Sequence, residues 1–450
     1  MVGTLICVNA VASEDKMVAG TAVGPYGLQE LLVLALAHNA ELVEGRWRVR
    51  EAATRVTRAR AATLLPRLRF QSVSGLVPDA EGDVFNPPSD TTGLRPLGLF
   101  NRSEFEFVQP LFTFGYLSQL RRAAGAGVEV EEASLAERRL DVILEVKELY
   151  YGVLLAEDLS SLAGSLIEEL EKKRDEIDED DPDIPLSAPY KLRLALLDLQ
   201  QRRRRVDDDL SLAREALAWK AGLEEGVPVE IADKILEPQK ARVGALDTLV
   251  ATALARRPEW QQLASGIRAK KALREASRSA YYPQIYLGGG LRYAVAPGRQ
   301  DQHNPFVKDD FNFFNGGVFL GLRQSFEWGM LGADADKAQA ELFQLKAQES
   351  AALQGIKLDV RRAHGVFRRA DSGVESARVA RRLSREWLQI ARDEYEMDPS
   401  EMKELISAFE AYAATEQAVS QAIFDYNMAL AKLERAVGSS LSPAYGDGGK

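Results

Sequence analysis

The chain has 450 residues, 46% apolar and 28% charged, which is ordinary for folded protein and enough for two or three globular domains or one elongated one. A net charge of -10 excludes a general nucleic-acid binder, and a single cysteine, Cys7, excludes disulfides and cysteine metal sites. His38, His303 and His364 show no ligand spacing, and no run of about 18 apolar residues is present to form a transmembrane helix.

At the start, Val2 to Val8 resemble the end of an apolar leader core, and Ala10-Val-Ala12 before Ser13 reads like a signal-peptidase site. A basic leader start is missing, so residues 1–26 read as a signal remnant and N-terminal segment, with the mature chain beginning near Ser13. Thr4-Leu-Ile-Cys7 is a poor lipidation box, because Thr stands three positions before the cysteine.

Residues 27–64 predict one Ala- and Leu-rich helix, ended by Pro66, which cannot continue the hydrogen-bond ladder. From 67 to 76 the period is two: Leu68, Phe70, Ser72, Ser74 and Leu76 share one face, and Arg67, Arg69 and Gln71 the other. A loop through Pro87-Pro88 and Gly93 leads to a second strand, where Phe105, Phe107, Gln109 and Leu111 alternate with Glu104, Glu106 and Val108.

From Gly115 to about Ile177 a helical pattern runs without proline, roughly 95 Å at 1.5 Å per residue. It ends in an acidic, proline-containing turn, Asp175 to Pro185. A return helix from about Tyr190 to Leu223 carries the seam Leu192, Leu196, Leu199, Val206, Leu210, Ala213 and Leu217, the three–four spacing of a coiled coil. Residues 224–245, with Gly226, Pro228 and Pro238, read as a compact connector.

The pattern then restarts about 217 residues further on, the spacing of a tandem duplication. Leu246-Asp-Thr-Leu-Val answers Leu28-Gln-Glu-Leu-Leu, and Tyr281-Tyr-Pro283 answers Leu64-Leu-Pro66. A helix over 246–281 leads to strands at 284–293 and 313–327. Phe326-Glu-Trp-Gly329 repeats the junction Phe112-Thr-Phe-Gly115 and opens a long helix to about 397. After Asp398-Pro399 a helix returns over 400–437, with the seam Leu405, Tyr412, Val419, Tyr426, Leu430 and Leu433, and residues 439–450 read as a disordered tail.

Each half therefore holds only two strands of about ten residues, too few to be stable alone, and four per chain cannot close a barrel. Closure needs several chains. The strands have the length of outer-membrane strands, with Phe105, Phe107, Phe311, Phe313, Phe314 and Phe319 near their ends as a girdle. The helical seams must be buried against neighbours, including other protomers.

With the duplicated helix–proline–strand, Gln109-Pro-Leu-Phe112 with Gly115 at the junction, and Arg257-Pro-Glu259 early in the repeated helix, the chain resembles the TolC family of outer-membrane efflux proteins. The likeness covers nearly all of 27–438, with repeat one at 27–223, the connector at 224–245 and repeat two at 246–438. It implies a mainly α fold with a membrane β-barrel: a homotrimer in which each chain gives four strands to a 12-stranded barrel above a long coiled-coil α-barrel. It implies a passive exit duct in the outer membrane of a Gram-negative bacterium, in contact with outer-membrane lipids, its helices in the periplasm. The implied partners are a periplasmic adaptor and an inner-membrane transporter of the RND, ABC or MFS type, serving efflux or type I protein secretion. No cofactor, metal, nucleic acid or enzymatic activity is implied.

The resemblance also assigns roles. The two helix turns become the periplasmic tips, with Asp181, Pro182, Asp183, Asp398, Pro399 and Ser400 as adaptor-docking residues. Tyr395 aligns with a tyrosine that helps hold the family's gate shut, and Glu404 with an aspartate lining its narrowest ring, where three carboxylates would favour cations. Asp393 and Glu396 are the next candidates for the constriction. Asp398-Pro399 replaces the family's glycine-containing turn, and Ser400 stands where an arginine gate partner is often seen. The run Arg202 to Arg205, beside Asp207 to Asp209, reads as ion pairing along or between helices. Gly288-Gly-Gly290 lies on a strand without a following Lys-Ser/Thr, so it reads as a place for curvature or close packing. The competing reading is a soluble periplasmic coiled-coil scaffold without a pore.

Overall fold

The computed structural model describes residues 24–82, 96–176, 187–223, 229–302, 306, 308–327, 329–398 and 401–441. The leader remnant up to residue 23, the acidic turn with Asp181, Pro182 and Asp183, and Pro399 and Ser400 lie outside them. In chain order the elements are α1 (Leu28–His38), α2 (Ala40–Leu64), β1 (Arg67–Pro78), β2 (Leu97–Phe112), α3 (Tyr116–Glu176) and α4 (Ala188–Ala221). Then come α5 (Leu246–Arg256), α6 (Pro258–Ser279), β3 (Gln284–Val295), β4 (Phe313–Arg323), α7 (Met330–Met397) and α8 (Met402–Val437). The chain divides into two compact units, Met1–Trp47, Ala133–Trp260 and Ala351–Lys450 in one, Arg48–Glu132 and Gln261–Ser350 in the other.

The second unit holds the sheet, antiparallel in the order β1-β2-β3-β4, with β1 and β4 as edges. β2 is longer than the alternation indicates, starting at Leu97, and β4 stops at Arg323, short of 327. Register pairs Leu68 with Phe107 and Phe70 with Phe105, then Phe105 with Leu291 and Tyr293 with Phe314. Leu68, Phe70, Leu76, Leu99, Val318, Leu320 and Leu322 lie on this same face, and all are exposed. The opposite face pairs Arg69 with Glu106 and Glu104 with Arg292, opposite charges directly across the ladder. The glycines serve close packing: a Cβ on Gly288 would lie 2.7 Å from the Phe319 ring, and one on Gly321 would lie 2.5 Å from the Tyr286 ring. The strand-to-helix junctions turn alike, with Gly115 at φ +93 and Gly329 at φ +84, backbone that suits glycine.

In the first unit both predicted opening helices are broken. Asn39 (φ -56, ψ 127) separates α1 from α2, and Arg257 (φ -63, ψ 126) separates α5 from α6. The chemistry differs. Asn39 Oδ1 accepts from the amides of Glu41 (3.0 Å) and Leu42, and its Nδ2 donates to the Lys220 carbonyl at 3.0 Å. Arg257 precedes Pro258, whose ring disfavours the α conformation at the residue before it. Each break receives the end of a return helix. Gly222 caps α4 at φ +75 against His38, and Gly438 caps α8 at φ +74 against Arg256 and Arg257. A Cβ on Gly222 would stand 2.8 Å from His38 Cβ and 2.9 Å from its backbone carbon, whereas one on Gly438 has nothing nearer than 3.4 Å. Gly222→Ala should therefore cost about 1–3 kcal/mol and more than Gly438→Ala, read as the fall in circular-dichroism melting temperature. Equal shifts would mean that His38 moves aside freely.

The main core of this unit gathers Leu31, Leu32, Val142, Val146, Tyr150, Leu217, Ile231, Val360 and Leu433. The connector is docked on it: Tyr26 bridges Ile231, and Asn427 accepts from the Gln239 amide (2.8 Å) while donating to the Glu237 carbonyl (2.9 Å). The predicted seams are inward-facing, with Leu192, Leu196, Leu217, Leu405, Val419, Tyr426, Leu430 and Leu433 buried. The tail expected to be disordered from 439 is ordered as far as Leu441, because Glu434 Oε1 accepts from the Leu441 amide at 2.8 Å and the Ser440 hydroxyl at 3.2 Å.

Candidate functional site

The candidate gate lies where α7 ends and α8 begins. A second apolar cluster fixes these helix ends, joining Leu166 and Leu170 of α3, Leu192 and Leu196 of α4, Leu388 and Ala391 of α7, and Met402, Leu405 and Phe409 of α8. Backbone bonds hold both sides of the α7–α8 junction: the Asp398 amide donates to the Glu394 carbonyl at 2.9 Å, and the Glu401 amide donates to the Asp398 carbonyl at 3.1 Å. Polar ties brace it. Arg392 pairs with Glu169 of α3, Arg385 Nη2 donates to Glu416 Oε1 at 3.0 Å, and Ser384 meets Thr415.

Tyr395 is half-buried against the second cluster, and Lys173 Nζ stands 5.8 Å from its ring centre, within cation–π range. Among the described residues its hydroxyl has no hydrogen-bond partner. Glu404 is exposed, and its Oε1 accepts from the Trp387 indole Nε1 at 3.1 Å. Asp393 accepts from Gln389 Nε2 at 2.9 Å, while Glu396 and Asp398 are exposed. Tyr395 and Glu404 thus turn to different neighbours, Lys173 on α3 and Trp387 on α7. Sequence reasoning missed Trp387 and Lys173; an indole in a helix otherwise rich in Arg and Glu was the one visible signal.

A charged cluster in the same unit gives Arg257-Pro-Glu259 a physical role. Arg257 is buried and donates to Glu259 Oε1 at 2.7 Å and to Asp359 at 3.3 Å. Arg435 reaches the same Glu259 oxygen at 3.0 Å and Asp141 at 3.0 Å. Burial pushes the Glu259 carboxyl up, but the Arg257 guanidinium, a backbone amide and the Arg435 charge together hold the group below its ordinary value. Glu137 beside it is held above its ordinary value, by burial first and then by the Glu259 charge. The arginine run behaves as expected in part: Arg202 pairs with Asp198 at 2.8 Å and Arg203 with Asp207 at 3.9 Å, each one turn away. Among the described residues no group of His, Cys, Asp or Glu could hold a metal ion.

No family model and no curated protein matches the chain. Solved structures do. The MtrE outer membrane channel of Neisseria gonorrhoeae, in its open state, superposes with a TM-score of 0.74 at 19% identity over 92% of this chain and 89% of that one. CusC, described for transmembrane channel formation, gives 0.74 at 17% over 93% and 96%. The outer membrane protein VceC of Vibrio cholerae gives 0.72 at 14% over 92% and 97%. The fold of this chain, long helices with a four-stranded antiparallel sheet, is the fold of these proteins.

Proposed function

We propose that this chain is a TolC-family protein, the outer-membrane exit duct of an efflux assembly, acting as a passive conduit and not as an enzyme. The observation that carries the reading is the sheet. It is open at β1 and β4, and it presents an exposed apolar face opposite a charged one. An open four-stranded sheet with such a face needs closure and an apolar surround; three copies supply twelve strands and a hydrocarbon bilayer supplies the surround. In this reading the charged face lines the lumen. The α7–α8 turn is the periplasmic tip, where a periplasmic adaptor docks and couples the duct to an inner-membrane transporter.

The detergent-extracted protein should be a trimer by light scattering with its β content intact. A stable monomer of full β content would remove the barrel and favour a pore-free coiled-coil scaffold. At the tip, Glu404→Ala should weaken block by divalent cations and lower cation selectivity in planar-bilayer recordings, with little loss of trimer. Trp387→Phe, which keeps an aromatic ring but removes the indole donor to Glu404, should alter the same block without abolishing it. Because Tyr395 has no hydrogen-bond partner among the described residues, a rise in basal conductance in Tyr395→Phe would report a bond made in the assembled duct. Unchanged block in Glu404→Ala would take Glu404 out of the constriction and move the assignment to Asp393, Glu396 or the acidic turn.

A further inference from the structure

The register of the sheet sorts charge as well as polarity. Every charged side chain of β1–β4 lies on one face. The cations there are Arg67, Arg69, Arg102, Arg292 and Arg323, and the anions are Glu104 and Glu106. The opposite face, with Leu68, Phe70 and Leu320, has none. Each chain thus places three more cations than anions on this wall, although the whole chain carries a net charge of -10.

Ladder pairing accounts for two of the arginines. Glu106 stands opposite Arg69, and Glu104 opposite Arg292. The other three have no carboxylate across from them: Arg67 faces Val108, Arg102 faces Val73 and Ala294, and Arg323 faces Gln284. The contacts of Arg102 and Arg323 are with neutral groups. Arg102 Nη2 donates to the Asp310 carbonyl at 2.9 Å, and its guanidinium lies 5.7 Å from the Phe313 ring centre. The Arg323 guanidinium lies 5.0 Å from the Tyr286 ring centre. Among the described residues, none of Arg67, Arg102 and Arg323 makes an ion pair.

Neutral contacts leave the positive charge in place. A wall with a surplus of one sign, repeated by each protomer around a closed bore, concentrates counter-ions of the other sign. The cations are all arginine, whose planar fork takes two oxygens of a carboxylate or phosphate at once. They are not placed for lipid phosphate, since the face that would meet the bilayer carries no cation.

We infer that the strand wall of the duct is electropositive and that the cargo it favours is organic anions, molecules carrying carboxylate or phosphate groups. This specifies the cargo of the duct proposed above and holds only if the charged face lines its lumen. Attraction along the wall reaches one Debye length, about 8 Å in physiological salt, so it should weaken as salt is added.

The test is a local one, because a reversal potential reports the narrowest ring of the duct. Gly75→Cys and Gly317→Cys, each in the full chain with Cys7→Ser, put a thiol on the charged face where a Cβ meets nothing within 4 Å. Leu320→Cys puts one on the apolar face. Each protein, reconstituted in liposomes, is treated with an anionic sulfonatoethyl and a cationic trimethylammonioethyl methanethiosulfonate. The ratio of the two rates cancels the reactivity of the thiol itself. At both glycine positions the ratio should favour the anionic reagent at least about fivefold over the ratio for free cysteine. It should fall towards the free value at about 1 M salt and in Arg67→Gln/Arg323→Gln. Labelling at Gly75→Cys and Gly317→Cys with a ratio no higher than that of free cysteine overturns the electropositive wall and leaves the duct in place. A raised ratio that neither salt nor the double variant lowers overturns it too, since these arginines are then not its source. Labelling at Leu320→Cys and at neither glycine position overturns the duct reading itself.

Discussion

Lys147→Met should be the most damaging single change in the helical unit, lowering stability by about 3–5 kcal/mol. Lys147 and Glu434 pair between α3 and α8 with their side chains 7% and 8% exposed. Removing the ammonium leaves a carboxylate in the core that has lost its bond from Lys147, although it still accepts from the Leu441 amide and the Ser440 hydroxyl of the tail. Breaking such a pair costs far more than the pair itself contributes, so Lys147→Met with Glu434→Gln should recover most of the loss. The glutamine keeps an acceptor for the Leu441 amide, and no charge is left without a partner. Melting of the detergent-solubilised wild type, both single variants and the double closes the cycle. A double variant no better than Lys147→Met would show that the loss is one of packing and not of an isolated charge.

The second large effect belongs to the sheet. Leu320 sits on the apolar face of β4, 69% exposed, opposite Leu287. If that face meets lipid, Leu320→Arg should cost about 2–4 kcal/mol per chain, and three copies should sharply reduce the assembled protein in the outer-membrane fraction. Asn315→Asp on the same strand points to the other face, opposite Arg292, and should be tolerated. Fractionation with blotting separates the two. Equal recovery of both variants would mean that the apolar face is covered by something other than lipid.

Much of this fold can be read in the residues because its two periodicities are strong and seldom interrupted. The alternation from Leu68 to Leu76 assigns the faces of β1 correctly, and the seam from Leu192 to Leu217 marks the buried side of α4. What cannot be read is set by contacts distant in sequence. The break at Asn39 looks like the middle of a helix, because its cause is the Lys220 carbonyl 181 positions away. The break at Arg257 was legible in principle, since proline follows it. At the α7–α8 turn, the resemblance nominates Tyr395 and Glu404 but cannot show what each touches. Trp387 and Lys173 enter only when the helices are packed together.

The two matching breaks in the opening helices have unequal mechanical compliance. At Arg257 the bend is written into the covalent chain by Pro258, and the backbone cannot straighten there without steric conflict. At Asn39 the same dihedral angles are held by one side-chain amide, whose bonds to Glu41, Leu42 and Lys220 can be exchanged for water. Deformation of this region should therefore begin at the asparagine joint, with the Glu41 amide exchanging its hydrogen for deuterium ahead of the amides flanking Arg257. Two halves that match in angle thus differ in stiffness, and any bending imposed on the helices is absorbed first on the asparagine side.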